Sequence, residues 1–263
     1  MKLGHTSVGK LTEKHPFPLL FVHGAWQSSR FWMDKFVPFF AARGFECHAL
    51  DLRGHGQSEV VPKFNAVSLS DYLADVVEIS KTMTKEPIII GHSMGGLISQ
   101  MFIQKYPAKA AVLLASCPPF GMKESLDRLA SEHQGMGMKY LFTRNTDLMI
   151  KDKALTKELF FRKDFPDKLF DEYYKDFQTE SYKAVNEMRN GIGNTGLNPN
   201  KIPVQVIGGG NDYFFKPKEI GEMAKLYGSE PYIAEGQGNT LMVEMGWQRT
   251  ADEISDWLGR NGL

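Results

Sequence analysis

The chain has 263 residues, enough for one large domain with a well-buried core. Its 31 lysines and arginines balance its 31 aspartates and glutamates, which argues against nucleic acid or an anionic membrane surface as the main partner and favours a small uncharged ligand. No apolar run is long enough to span a bilayer or to form the core of a signal peptide, so we expect a soluble, cytoplasmic protein with no integral membrane segment.

Short apolar runs alternate with segments of helical spacing along most of the chain. Each run ends at glycine or a polar turn and is apolar on both faces, as is typical of parallel strands. The alternation predicts an α/β fold with an open, mostly parallel, twisted sheet and helices on both faces. The predicted strands are 19–22, 47–50, 88–90, 111–115, 204–207 and 232–234. The predicted helices are 31–42, 69–83, 95–106, 219–227 and 249–258.

The interval from about 120 to 200 interrupts this alternation, because it has no clear strand and is helical, amphipathic and rich in methionine and aromatic residues. We expect a helical cap inserted into a single domain that spans residues 1–263. Apolar residues such as Leu159, Phe160 and Tyr173 recur near helical spacing, so one face must pack against an apolar partner. Most of that face is expected to pack on the main domain, and part of it to line a hydrophobic substrate pocket.

The most informative stretch is the strand-to-helix junction around Ser93. A buried strand turns there into a helix through a G-x-S-x-G pentapeptide, which places the serine in a strained conformation with its hydroxyl projecting from the turn. Gly91 and Gly95 are the small residues that let strand and helix approach closely. The N-terminus of the helix favours an anion at the serine. The pattern therefore predicts Ser93 as a nucleophile.

With this elbow in place, the chain resembles the α/β-hydrolase family over nearly its whole length. The segment 20–26 is similar to the family's His-Gly-x segment, which in relatives gives a backbone N–H to the oxyanion hole. The resemblance implies that Ala25 and Met94 supply the two N–H groups of that hole. It also implies that Trp26 forms a wall of the substrate pocket.

Two more segments match the family. The run 51–58 resembles its D-x-R-G-x-G-x-S motif, which implies a structural turn role for His55. The run 212–217 is similar to its acid loop, which implies that Asp212 orients the catalytic imidazole. The alternative for Asp212 is a cap on the helix that begins near Pro217, or an ordinary turn.

The last motif departs from the family pattern. Relatives carry histidine in a glycine-rich G-x-G-H turn after the last strand, and the matching run 235–244 places Asn239 at that position. An amide accepts no proton near neutral pH, so Asn239 cannot act as general base toward Ser93. The triad of Ser93, Asp212 and Asn239 is therefore incomplete. Among the other histidines, only His133 in the cap is kept as a substitute base.

The resemblance implies a serine hydrolase that cleaves a carboxylic ester or thioester of a hydrophobic small molecule through an acyl-serine intermediate. Asn239 has two explanations: replacement of a catalytic histidine in an enzyme, or a catalytically silent relative that is a ligand-binding receptor or carrier. Acyl transfer to other acceptors and C–C bond hydrolysis occur on the same fold. We expect no cofactor and no metal, because no His–Cys cluster has zinc-ligand spacing. Cys47 and Cys117 lie in or beside buried strands and are expected as free thiols.

Overall fold

A seven-stranded sheet forms the centre of the computed structural model, which describes residues 1–263 except for the side chains at positions 136, 137 and 141. The strands are β1 (His5–Val8), β2 (Leu19–Val22), β3 (Cys47–Leu50), β4 (Ile88–His92), β5 (Ala110–Leu114), β6 (Val204–Gly209) and β7 (Pro231–Ala234). Their order across the sheet is β1-β3-β2-β4-β5-β6-β7, and every neighbouring pair is parallel except β1 with β3. The predicted α/β fold and its six predicted strands are confirmed.

The first strand is absent from the sequence prediction. Three of its four residues are exposed, so β1 has no apolar run that would reveal it. It pairs antiparallel with β3 at the edge of the sheet, so its other side has no partner strand. The five interior strands β2 to β6 are fully buried, which explains why their apolar runs could be recognised in the sequence.

From β2 onward, helices alternate with the strands except between β5 and β6, where a run of helices fills the interval. We call residues 120–200 the insertion. The helices of the main part are α1 (Arg30–Met33), α2 (Phe36–Ala42), α3 (Leu69–Ser80), α4 (Met94–Lys105), α10 (Pro217–Leu226) and α11 (Trp247–Arg260). Those of the insertion are α5 (Lys123–Glu132), α6 (Met136–Thr143), α7 (Lys153–Phe160), α8 (Asp167–Tyr174) and α9 (Tyr182–Asn190). Short 3-10 helices lie at Phe64–Ala66 and Thr146–Met149.

The helix predicted over 31–42 is two helices, α1 and α2, with a break at Asp34 and Lys35. Pro38 explains the break. Its nitrogen carries no hydrogen for the carbonyl of Asp34 four residues earlier, and its ring crowds that carbonyl. Pro38 is tolerated near the start of α2, where an N–H has no partner within the helix.

Two simpler expectations concern thiols and membrane segments. Cys47 and Cys117 are buried free thiols, as predicted. No helix in the described part of the chain has the length and hydropathy of a membrane span.

Candidate active site

Ser93 occupies the turn between β4 and α4 with a backbone conformation that side chains rarely adopt, φ 51° and ψ −114°. Such a conformation costs about 1–3 kcal/mol and persists only where its surroundings hold it. The end of β5 and the loop after it provide that hold: the N–H of Ser93 donates to the carbonyl of Leu114 at 3.1 Å, and the N–H of Cys117 donates to the carbonyl of Ser93 at 3.0 Å. Residue Ser93 is 8% exposed, and its hydroxyl forms no hydrogen bond with the described residues.

Glycines allow three close approaches around this turn. A Cβ on Gly95 would lie 2.3 Å from the carbonyl oxygen of Val22 in β2, and one on Gly91 would lie 2.3 Å from the carbonyl oxygen of Gly95. A Cβ on Gly24 would lie 3.1 Å from the Cβ of Ser93. The loop after β2, which carries the predicted oxyanion segment, therefore packs directly on the elbow.

Asp212 and Asn239 meet at the carboxyl end of the sheet, on the loops that follow β6 and β7. The Asn239 amide donates from Nδ2 to Asp212 Oδ2 at 3.0 Å. The other oxygen, Asp212 Oδ1, accepts from the N–H groups of Phe214 at 2.8 Å and Phe215 at 3.2 Å. Burial outweighs these donors and raises the pKa of Asp212 to about 7. The arrangement is the one an acid would need to orient a side chain at position 239.

His92 connects the elbow to position 239. Its ring Nε2 lies 3.0 Å from the carbonyl oxygen of Asn239, and its Nδ1 lies 3.0 Å from Oε1 of Gln27. Burial lowers the pKa of His92 to about 4, so the ring is neutral and donates from Nε2 alone. The unprotonated Nδ1 of His92 then needs a hydrogen-bond donor. The Gln27 side chain provides one when the oxygen and nitrogen of its amide exchange places, which brings the Gln27 Nε2, otherwise without a partner, to the ring. His92 points away from the Ser93 hydroxyl, as expected, and holds the loop of Asn239 to the elbow. Sequence reasoning missed Gln27 in this role.

The predicted oxyanion residues flank Ser93. Met94 begins α4, so its N–H has no partner within that helix. Ala25 is buried in the loop that packs on the elbow, and its N–H reaches no acceptor within the described parts of the chain. The next residue, Trp26, has φ 61°, a left-handed conformation that is unusual for a bulky side chain.

Aromatic rings surround Trp26 where the insertion meets the main part of the fold. The ring of Trp26 packs edge-on against Phe160 with centroids 5.9 Å apart. Phe160 also contacts Phe177 of the insertion at 5.0 Å and Phe214 of the acid loop at 5.4 Å. The predicted pocket residue Trp26 is thus part of an apolar, aromatic environment.

Glu244 fixes the loop of Asn239 to the insertion, a contact that sequence reasoning missed. Its buried carboxylate accepts from the N–H of Gly238 at 3.0 Å and from the N–H of Arg162 at 2.7 Å. The N–H of Thr240 donates to the carbonyl of Phe160 at 3.0 Å. Burial raises the pKa of Glu244 to about 7. The insertion therefore supports position 239 through its main chain.

His55 lies in a turn, as the resemblance implied, and also forms a buried ion pair. Its Nε2 is 3.2 Å from Oε2 of Glu180, between α8 and α9 of the insertion. The Glu180 side chain is fully buried, and the two opposite charges raise the pKa of His55 and lower that of Glu180, in each case against the effect of burial. No local motif marks Glu180, which is far from His55 in the sequence.

His133 is not brought to Ser93 or Asp212. It follows α5 and lies 3.3 Å from Glu158 of α7. Within the described residues, the group of three side chains suited to a metal ion is formed by Glu132, His133 and Glu158, and it is largely solvent-exposed. The hydroxyl of Tyr213 donates to Glu132 at 2.6 Å. Surface grooves of about 790 and 570 Å³ border this group, and Ser93 lines neither of them.

Comparison with known proteins identifies the family. A family model described as "Alpha/beta hydrolase family" matches residues 19–253, which include the elbow, the acid loop and the loop of Asn239. The chain belongs to the α/β-hydrolase family. A solved esterase structure from Exiguobacterium antarcticum superposes on this α/β hydrolase with a TM-score of 0.77 and 16% sequence identity, covering 98% of this chain and 95% of that one.

Curated relatives match over shorter stretches. Ethanol acetyltransferase 1 of Eremothecium cymbalariae is 30% identical over 113 residues, which are 42% of this α/β hydrolase and 31% of the relative. The pyrethroid hydrolase of Sphingobium wenxiniae is 27% identical over 144 residues, 48% of this chain and 51% of the relative. The matches thus span only about a third to a half of these two relatives.

Proposed function

We propose that this α/β hydrolase is a serine hydrolase for carboxylic esters or thioesters of hydrophobic small molecules, in which Asn239 disables turnover. The observation that carries the proposal is the juxtaposition of three loops: a strained serine elbow, a buried acid, and a hydrogen-bonded residue at position 239 between elbow and acid loop. Backbone strain at a serine costs stability, and in a strand-to-helix elbow a nucleophile is the usual reason for it.

With histidine at position 239, the chemistry would run in two stages. The imidazole would take the Ser93 hydroxyl proton while the oxygen bonds to the carbonyl carbon. The N–H groups of Ala25 and Met94 would stabilise the oxyanion, and Asp212 would orient the imidazole and stabilise its charged form. The proton would pass to the departing alcohol or thiol, and water would then release the acid from Ser93 by the same steps. Asn239 can neither take nor return that proton.

The substrate class is proposed from the walls of the site. Trp26, Phe160 and Phe214 form an aromatic environment beside the elbow, which favours a hydrophobic acyl or alcohol group over a charged one. The insertion would act as a cap over this region. The name of one relative, an acetyltransferase, keeps transfer of the acyl group to an alcohol as an alternative to hydrolysis.

Asn239→His tests the proposal. Loss of the histidine of a serine triad costs on the order of a million-fold in turnover, so the present chain should be nearly inert. Asn239→His should raise cleavage of a short activated ester or thioester by about a thousand-fold or more. Hydrolysis rates of the two proteins, measured side by side, check this, and intact-mass spectra would identify any acyl group left on Ser93.

Asn239→Ala and Ser93→Ala are the controls. Asn239→Ala should be as inert as the parent, and Ser93→Ala in the Asn239→His protein should abolish the gain. A parent that turns over rapidly would show that position 239 is not the base.

A binding protein is the second candidate, favoured by the close fit of the Asn239 amide to Asp212. An inactive Asn239→His protein, together with tight binding of a small ligand by the parent, would favour that candidate.

A further inference from the structure

The insertion contacts both backbone polar groups of Trp26, its carbonyl and its N–H. The N–H of Gln178 donates to the carbonyl of Trp26 at 2.8 Å. The N–H of Trp26 points at the carboxylate of Glu180, with 3.4 Å between the nitrogen and Oε2. This N–H contact is long for a neutral hydrogen bond, but the acceptor is charged and buried. These contacts explain how a bulky residue is kept at φ 61°.

Glu180 is itself fixed by three groups. Its Oε1 accepts from the hydroxyl of Tyr72 at 2.5 Å and from the N–H of Ser181 at 2.6 Å. Its Oε2 faces Trp26 and is paired with His55 at 3.2 Å. The two oxygens therefore have different neighbours, and only Oε2 is available to Trp26.

We propose that Glu180 is a positioning residue for the oxyanion hole, because its carboxylate engages the N–H of Trp26 and so fixes the peptide that follows Ala25. The inference rests on the proposed function. With the Trp26 N–H turned toward the insertion, the N–H of Ala25 is the donor left to face an oxyanion at Ser93. His55 balances the charge of Glu180, since an unpaired buried carboxylate this close would oppose an oxyanion.

Glu180→Gln makes a sharp test. The amide oxygen of glutamine must take the place of Oε1, where Tyr72 and Ser181 donate. Its NH₂ group then faces the N–H of Trp26, so two donors oppose each other. The Trp26 peptide should rotate away and leave its left-handed conformation. A crystal structure of the Glu180→Gln protein, in the present Asn239 background, checks this without any need for activity.

Kinetics give the second measurement, in the Asn239→His background. Loss of one oxyanion donor costs about 10²–10³ in kcat. Because Glu180 acts through Ala25 and touches no substrate, Glu180→Gln should lower kcat about 10- to 100-fold and change KM less than about threefold. Glu180→Asp keeps the charge opposite His55 but withdraws the carboxylate from Trp26. Glu180→Asp should also lower kcat, and it replaces Glu180→Gln in the test if the glutamine variant does not fold.

Glu187→Gln is the matched control, since Glu187 is another carboxylate of the insertion that accepts from a main-chain N–H, that of Leu69 at 2.7 Å. It should leave kcat and the Trp26 backbone unchanged. An unaltered Trp26 conformation in Glu180→Gln, or a fall in kcat no larger than that of Glu187→Gln, would overturn the inference. An inactive Asn239→His protein would instead count against the proposed function, and the crystal structures would still decide the role of Glu180.

Discussion

Asn239 removes the general base and also changes the electrostatic environment of Asp212. A histidine at position 239 could become positively charged beside the carboxylate, whereas the amide offers only one neutral donor. Burial then dominates and raises the pKa of Asp212 to about 7. Glu244, also buried, has its pKa raised to about 7 for the same reason. With these raised pKa values, we expect both carboxyls to be protonated in the folded chain at mildly acidic pH.

This predicts that the free energy of unfolding falls as pH rises. Unfolded Asp212 titrates near its ordinary pKa of about 3.9, so between about pH 4 and 7 the folded state binds more protons than the unfolded state. Asp212 alone should remove on the order of 2 kcal/mol of stability between about pH 5 and 8. Urea unfolding at the two pH values measures the loss.

Asp212→Asn should weaken the pH dependence of the free energy of unfolding. The dependence that remains should come from Glu244. The replacement keeps an oxygen for the N–H groups of Phe214 and Phe215, so the fold of the acid loop should survive. An undiminished loss of stability in Asp212→Asn would mean that Asp212 is ionised in the folded protein.

The join of β4 to α4 depends on close contact with the backbone of β2. A Cβ on Gly95 would lie 2.3 Å from the carbonyl oxygen of Val22 and 2.5 Å from that of His23, neither of which can move without disturbing β2. We expect Gly95→Ala to destabilise the protein by about 2–3 kcal/mol, since overpacking a rigid site has a cost of that order. Chemical denaturation measures the change.

Gly221→Ala is the opposite case and a suitable control. Gly221 lies inside α10, and a Cβ there would have no heavy atom within 4 Å. Alanine should stabilise that helix by about 0.5–1 kcal/mol. Equal effects of Gly95→Ala and Gly221→Ala on stability would show that the close backbone approach at the elbow does not explain the glycine at position 95.

The sequence predicted the elements that are buried and regular. The central strands and the elbow follow from apolar runs and from the spacing of Gly91 and Gly95, which are local signals. The break before α2 was also encoded locally, in Pro38, but the apolar spacing of 31–42 masked it. Glu180 and Glu244 could not be predicted, because their importance comes from main-chain N–H groups that only the tertiary fold brings to them.

The insertion is hydrogen-bonded to both loops that flank Ser93, and so joins distant parts of the molecule. Segment 160–162 bonds to the loop of Asn239, and segment 178–180 bonds to Trp26. Two of these contacts join main-chain groups, and in the other two the carboxylate of Glu244 or Glu180 accepts from a main-chain N–H. We expect such contacts, in buried or partly buried surroundings, to open only when a large part of the structure unfolds. They are unlike the contacts of a mobile lid.

Hydrogen exchange should reveal this. The amides of Arg162, Gln178 and Thr240 should exchange about as slowly as that of Ile89 in β4, because opening any of them separates the insertion from the site. The amide of Asn145, in an exposed turn of the insertion, should exchange much faster. Exchange of the first three at the rate of Asn145 would indicate an insertion that swings open on its own.

The attachment of Trp26 to Gln178 and Glu180 limits which segments of this fold can be exchanged with those of other hydrolases. A helical segment borrowed from another hydrolase would bring its own specificity but also its own partners for the peptide after Ala25. Chimeras that exchange residues 120–200 as one cassette would then lose catalytic geometry even when they fold. Other grafts would retain residues 160–162 and 178–180 and vary only the helices between and beyond them. Such grafts would keep the insertion compatible with the main part of the fold.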